Sequence, residues 1–112
     1  MRIAIPLTEG KLSQHFGHCE QFAIVDVDSD SKSIKNKELL NPPPHEPGAL
    51  PKWLSGIQVG VIIAGGMGQR AQQLFAQNKI EVVIGAPEEV PEKLVLAYLG
   101  DTLIAGENIC DH

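Results

Sequence analysis

Two short, continuous apolar runs, Val59 to Ala64 and Ile80 to Ile84, bracket a stretch with helical spacing. This arrangement constrains the fold more than any other feature of the chain. A strand-length apolar run without polar alternation suits a sheet interior covered on both faces. Between the runs, Gln69 to Asn78 puts Ala71, Leu74 and Phe75 on one helical face, with Asn78 placed as a left-handed cap. A strand, a helix and a second strand in so few residues close as a right-handed parallel crossover.

The first half has a different rhythm. Arg2 to Leu7 is a short β-branched run that stops at Thr8-Glu9-Gly10, and Gln21 to Asp28 is a strand apolar on both faces. After the turn Asp28-Ser29-Asp30-Ser31, Ser33 to Leu40 alternates Ile34 with Lys35 and Lys37, as an exposed edge strand does to discourage foreign pairing. Pro47 to Leu54 is a short helix with Leu50, Trp53 and Leu54 on one face. Glu89 to Leu99 is another, opened by acidic residues and Pro91 and ended by Gly100. The expected fold class is α/β: a mixed five-stranded sheet, order 3-2-1-4-5 with strand 2 antiparallel, and helices on both faces. That three-layer arrangement is ribonuclease-H-like. A chain of 112 residues without a linker or repeat makes one domain, 1–112.

Composition excludes several function classes. A net charge of −5 and few aromatic residues argue against nucleic acid as a partner. No apolar run approaches the ~18 residues of a membrane span, and the N-terminus lacks a signal-peptide pattern. Two cysteines are too few for a disulfide framework, so a cytoplasmic, reducing location is expected. Enzyme signatures are missing: strand 1 carries no carboxylate for a two-metal nuclease, and no G-x-S-x-G elbow occurs. The chain is therefore expected not to be an enzyme.

The unusual residues concentrate in four segments: 8–20, 42–48, 65–71 and 110–112. All four histidines and both cysteines fall there. In open α/β sheets, ligands bind beyond the carboxyl ends of strands whose connections diverge. Gly65, Gly66, Met67 and Gly68 lie at a strand-to-helix junction, where glycines let the backbone approach a ligand and helix N–H groups meet an anion. Arg70 adds positive charge to the anion or faces solvent. A tight turn with close helix–sheet packing would explain one or two of these glycines, less easily three. The G-x-G-x-x-A spacing of Gly66 to Ala71 lacks the ribose-binding acid of dinucleotide sites. His15, His18 and Cys19 share the first loop, where His18 is a metal ligand or a hydrogen-bonded structural group and Cys19 a ligand or a small apolar residue. His45 sits between prolines that stiffen its backbone. Cys110 and His112 offer sulfur and imidazole in a terminal tail, or belong to a frayed terminus with no role. No C-x-x-C pair points to structural zinc.

The stretches LSQHFGHCEQFAIVDVD, PPPHEPGALPKWL, VGVIIAGGMGQRAQQLFAQNKIEVVIGA and ENICDH resemble the dinitrogenase iron–molybdenum cofactor-binding family, the NifX/NifB-type domains. The resemblance spans nearly the whole chain. It implies a domain that binds or carries an iron–molybdenum–sulfur or iron–sulfur cluster, or its precursor, without catalysis, alongside cofactor-assembly proteins. By this resemblance, His18 and the Gly65–Gly68 loop match cofactor-contacting positions. His45 matches the histidine of the proline-rich loop, and Cys110 and His112 match the tail. The expected metal ligands are thus His18, His45, Cys110 and His112, with His15, the glycine loop and Arg70 binding the rest of the cofactor. The alternative is a regulatory or interaction module that takes a phosphate-bearing small molecule or a partner protein through the same glycine loop.

Overall fold

The computed structural model describes residues 1–13, 20–43 and 48–100. In chain order the elements are β1 (Arg2–Thr8), β2 (Lys11–Leu12), β3 (Gln21–Asp28), β4 (Ser33–Leu40), α1 (Ala49–Gly56), β5 (Val61–Ile63), α2 (Gln69–Gln77), β6 (Glu81–Val83) and α3 (Pro91–Leu99). One mixed sheet runs β4-β3-β1-β5-β6, and β2 pairs only with β1. Strand β1 is central: antiparallel to β3, with Ile3 opposite Val25, and parallel to β5, with Ala4 opposite Ile62.

Side-chain alternation along β1 builds two cores. Ile3, Ile5 and Leu7 point to one face, where Leu94 and Val95 of α3 cover them together with Val25 and Ile63. Ala4 points to the other, where Leu50 and Leu54 of α1 and Phe75 of α2 pack with Phe22, Ile62 and Met67. Phe22 meets Trp53 edge-on at a ring-centroid distance of 5.6 Å. Helices therefore cover both faces of the sheet, which makes the molecule three-layered.

Several expectations need correction. Among the described residues the sheet has six strands rather than five, because Glu9 and Gly10 both turn left-handed (φ 53° and 82°) and fold Lys11–Leu12 back onto β1. Such a turn matches strand twist, but Glu-Gly is a weaker signal than Asn-Gly. Strands β5 and β6 keep three residues each of their longer apolar runs, and among the described strands β6 lies at the edge, with Glu81 exposed and Val82 and Val83 half-buried. Asn78 is not left-handed (φ −95°). Its side-chain amide donates to the Leu74 carbonyl at 2.8 Å, and Lys79 takes the positive φ of 60° instead. Helix α1 continues to Gly56 and stops before Gln58 (φ 68°). Helix α3 starts at Pro91 rather than Glu89, whose carbonyl accepts the Leu12 N–H at 2.9 Å and is held by the β1–β2 hairpin.

At the amino end of β1, Arg2 Nε donates to Asp26 Oδ1 at 2.7 Å and Arg2 Nη1 to the Ile57 carbonyl at 2.5 Å, joining two strands to the α1–β5 connection. The hydrogen bond from Arg2, reinforced by its charge, holds the Asp26 carboxyl below the usual range against the opposing effect of burial. The stabilisation is complete above the unfolded carboxylate value of about 4 and is lost as pH falls through the lower folded value. Both side chains are about a third exposed, at 35% and 31%, so solvent screens much of it. We expect Asp26→Asn to lower the urea midpoint at pH 7 and to flatten its fall as pH drops below about 4. Parallel acid limbs in the two proteins would show that the pair contributes nothing.

Candidate functional site

Strand directions gather the connections. Strands β1, β4, β5 and β6 point the same way, so the segments after each leave from one end of the sheet. From β1 the chain turns toward β3 and β4, and from β5 it turns through α2 toward β6. The carboxyl ends of β1 and β5 are therefore the place where connections diverge, the usual ligand position in open α/β sheets.

Residues 64–68 are built tightly there. Ala64 N–H donates to the Val83 carbonyl at 2.8 Å and Gly85 N–H to the Gly65 carbonyl at 2.7 Å. Gly85 adopts φ 78°, so the close crossing of these two loops uses a conformation that side chains disfavour. Gly65, Gly66 and Met67 are buried, and the Met67 side chain belongs to the α1–α2 core. Any contact of Met67 with a ligand would thus be made by its backbone.

Gly68 differs from its neighbours. It is the N-cap of α2 in extended geometry (φ −66°, ψ 156°), and a Cβ built on it meets nothing within 4 Å. Neither backbone conformation nor packing requires glycine at this position. Among the described residues no side chain caps the helix, and its first turn holds no acidic residue. Arg70 stands exposed in that turn, where the dipole favours the opposite charge. An uncapped helix start with a cation and open space suits an anion. An anionic metal–sulfur cluster and a phosphate both meet that description.

Continuing the register of β1 on β5 puts Thr8 level with this loop. Its Oγ1 is buried and has no hydrogen-bond partner among the described residues. Sequence reading did not single out Thr8, because a lone threonine at a strand end carries no pattern. On the α3 face of the same end, a cavity of about 270 Å³ opens beside Leu7, Leu39 and Pro91. Lys37 Nζ and Glu92 Oε2 pair across its edge at 3.0 Å, and the Lys37 hydrogen bond keeps the Glu92 carboxyl below its ordinary value.

His15, His18, Cys19, His45, Cys110 and His112 lie outside the described residues. The residues flanking the first loop are placed, however: Ser13 N–H donates to the Pro6 carbonyl and Glu20 N–H to the Leu7 carbonyl, both at 2.8 Å. Ser13 and Glu20 are therefore both anchored at the carboxyl end of β1. Segment 44–47 follows β4 from the same end of the sheet. Residue 101 instead follows α3 at the opposite end, where Tyr98 Oη donates to Glu81 Oε2 at 2.6 Å. Among the described residues, no group of three His, Cys, Asp or Glu could hold a metal ion. No described helix is long and apolar enough to cross a membrane.

Comparison with known proteins agrees with this architecture. Residues 1–100 match the family described as dinitrogenase iron–molybdenum cofactor. An uncharacterised protein of Methanocaldococcus jannaschii, MJ0580, is 36% identical over 105 residues, covering 89% of this chain and 87% of its own. The crystal structure of PH0822 superposes with a TM-score of 0.85 at 30% identity, over 94% of both chains. The apo orange protein of Desulfovibrio gigas gives a TM-score of 0.71 at 20% identity, over 96% of this chain and 93% of that one, and shares the fold. The chain belongs to the dinitrogenase iron–molybdenum cofactor family.

Proposed function

We propose that this protein binds and carries an iron–molybdenum–sulfur or iron–sulfur cluster, or a precursor of one, during metallocofactor assembly, without catalysing a reaction on it. The family match over residues 1–100 carries the reading. It is supported by the uncapped start of α2 with Arg70 at the diverging ends of β1 and β5. In this reading the cluster is cargo. Gly65, Gly66, Met67 and Gly68 face its negative charge through their backbone, with Arg70 and His15 beside them. His18 and His45, on segments that leave the same end of the sheet, supply imidazole ligands, and Cys110 and His112 of the tail supply thiolate and imidazole. The sheet is then a ribonuclease-H-like scaffold, the location cytoplasmic, and the partners the proteins that make and receive the cofactor.

The test is an anoxic titration of the full chain with isolated iron–molybdenum cofactor and, separately, with a [4Fe–4S] cluster capped by small thiolates. Visible absorption is followed through gel filtration. Colour should co-elute with the protein, and His18→Ala should reduce it by at least about tenfold in affinity while leaving the melting temperature in place. No co-elution with either cluster would shift the function to a phosphate-bearing small molecule, which a nucleotide-dependent rise in melting temperature would reveal.

A further inference from the structure

We infer that Gln72 is a positioning residue that keeps the start of α2 open to an anion, an inference that rests on the carrier reading above. Gln72 lies in the first turns of α2, half-buried, and its two nitrogens are used on the two carbonyls that immediately precede the helix. Its backbone N–H donates to the Gly68 carbonyl at 3.1 Å, the ordinary first bond of an α-helix. Its side-chain Nε2 donates to the Met67 carbonyl at 2.9 Å, a bond that helical geometry alone does not supply.

The consequence is electrostatic. A carbonyl oxygen carries partial negative charge, and one turned outward beside the helix N–H groups would oppose an anion arriving there. Gln72 binds the Met67 carbonyl from the helix side. The Met67 side chain is meanwhile fully buried in the α1–α2 core, so packing and this hydrogen bond both hold the residue. Gly68 supplies no side-chain cap, and a Cβ built on it meets nothing within 4 Å, so there is open space beside the start of the helix. Gln72 therefore acts on the ligand through the loop and does not touch it.

The experiment compares the full-length protein with Gln72→Met, which keeps length and loses the donor, and Gln72→Glu, which loses it and adds charge. Gln73→Glu, one residue on and exposed, controls for charge alone. The probes are the thiolate-capped [4Fe–4S] cluster and inorganic phosphate, with melting temperatures and amide NMR spectra recorded alongside. Gln72→Met should weaken cluster retention about three- to tenfold, the scale of one lost hydrogen bond, and Gln72→Glu at least as much. Amide shifts should be confined to residues 67–71, and Gln73→Glu should remain close to the unaltered protein. Should Gln72→Met fail to fold, Gln72→Glu decides by the same comparison. Equal retention by the unaltered protein and the Gln72 variants would overturn the positioning role and leave the carrier reading standing. No retention by the unaltered protein would overturn the carrier reading and this role with it.

Discussion

Phe75→Ala is expected to cost about 3–5 kcal/mol of folding stability, the range for truncating a fully buried aromatic residue. Phe75 is 0% exposed and is the one fully buried side chain that α2 sends into the core it shares with α1. Its cluster includes Ala4 of β1, Ile62 of β5, Leu54 of α1 and Met67 of the glycine loop, so its loss opens a void where three elements meet. A domain of this size has roughly 5–15 kcal/mol in total, so the variant would sit near the edge of folding. In urea its midpoint should fall by about 2 M with little change of slope. Gln73→Ala, on the exposed side of the same helix, should stay within about 0.5 kcal/mol. A loss below about 1 kcal/mol for Phe75→Ala would mean that α2 is not held to the sheet by this contact. The consequence for the site is direct, because the core that grips Phe75 also grips Met67.

Legibility from sequence followed the strength of each physical pattern. Strands β3 and β4 have the boundaries read from the sequence, because Asp28 closes the turn itself: its Oδ1 accepts the Asp30 N–H at 3.0 Å and the Ser31 N–H at 3.4 Å. The apolar runs identified β5 and β6 but overstated their length, since burial continues past the last ladder bond into Ala64. Strand β2 escaped notice because two residues have no period, and its partner turn is Glu-Gly. Asn78 was misassigned because an asparagine after a helix serves equally as a left-handed residue or as a side-chain donor. Here the Leu74 carbonyl selected the second use. At the candidate site, the glycines were legible as candidates because a glycine cluster between strand and helix has few purposes. Gln72 was not, since an amide inside a helix looks like any solvent-facing residue until its acceptor is known. Histidines and cysteines announce themselves by type alone. Their loops have no periodicity from which convergence could be read.

Gly68→Asp separates the stability of α2 from its use. At an extended N-cap, an aspartate side chain accepts from the N–H groups of Arg70 and Ala71 and complements the helix dipole. Gly68 already has that backbone geometry, and its Cβ position is empty, so the substitution introduces no strain. Replacing glycine also narrows the unfolded ensemble. The variant should therefore be more stable, by about 0.5–1 kcal/mol or a few degrees in Tm. Its carboxylate would occupy the donors proposed to receive the cluster and place a negative charge against it. Cluster affinity should consequently fall by at least about tenfold, equivalent to about 1.4 kcal/mol, and part of that loss should return when salt screens the repulsion. Gly68→Asn, which caps without charge, should show a smaller loss, and Gly68→Ala a smaller one still. A gain in Tm with a loss of binding is the opposite of what a damaged fold produces, so the two readouts together exclude misfolding as the cause. If Gly68→Asp retained the cluster as well as the unaltered protein, the start of α2 would not face it, and the anion-facing surface would have to be sought on the other segments that leave this end of the sheet.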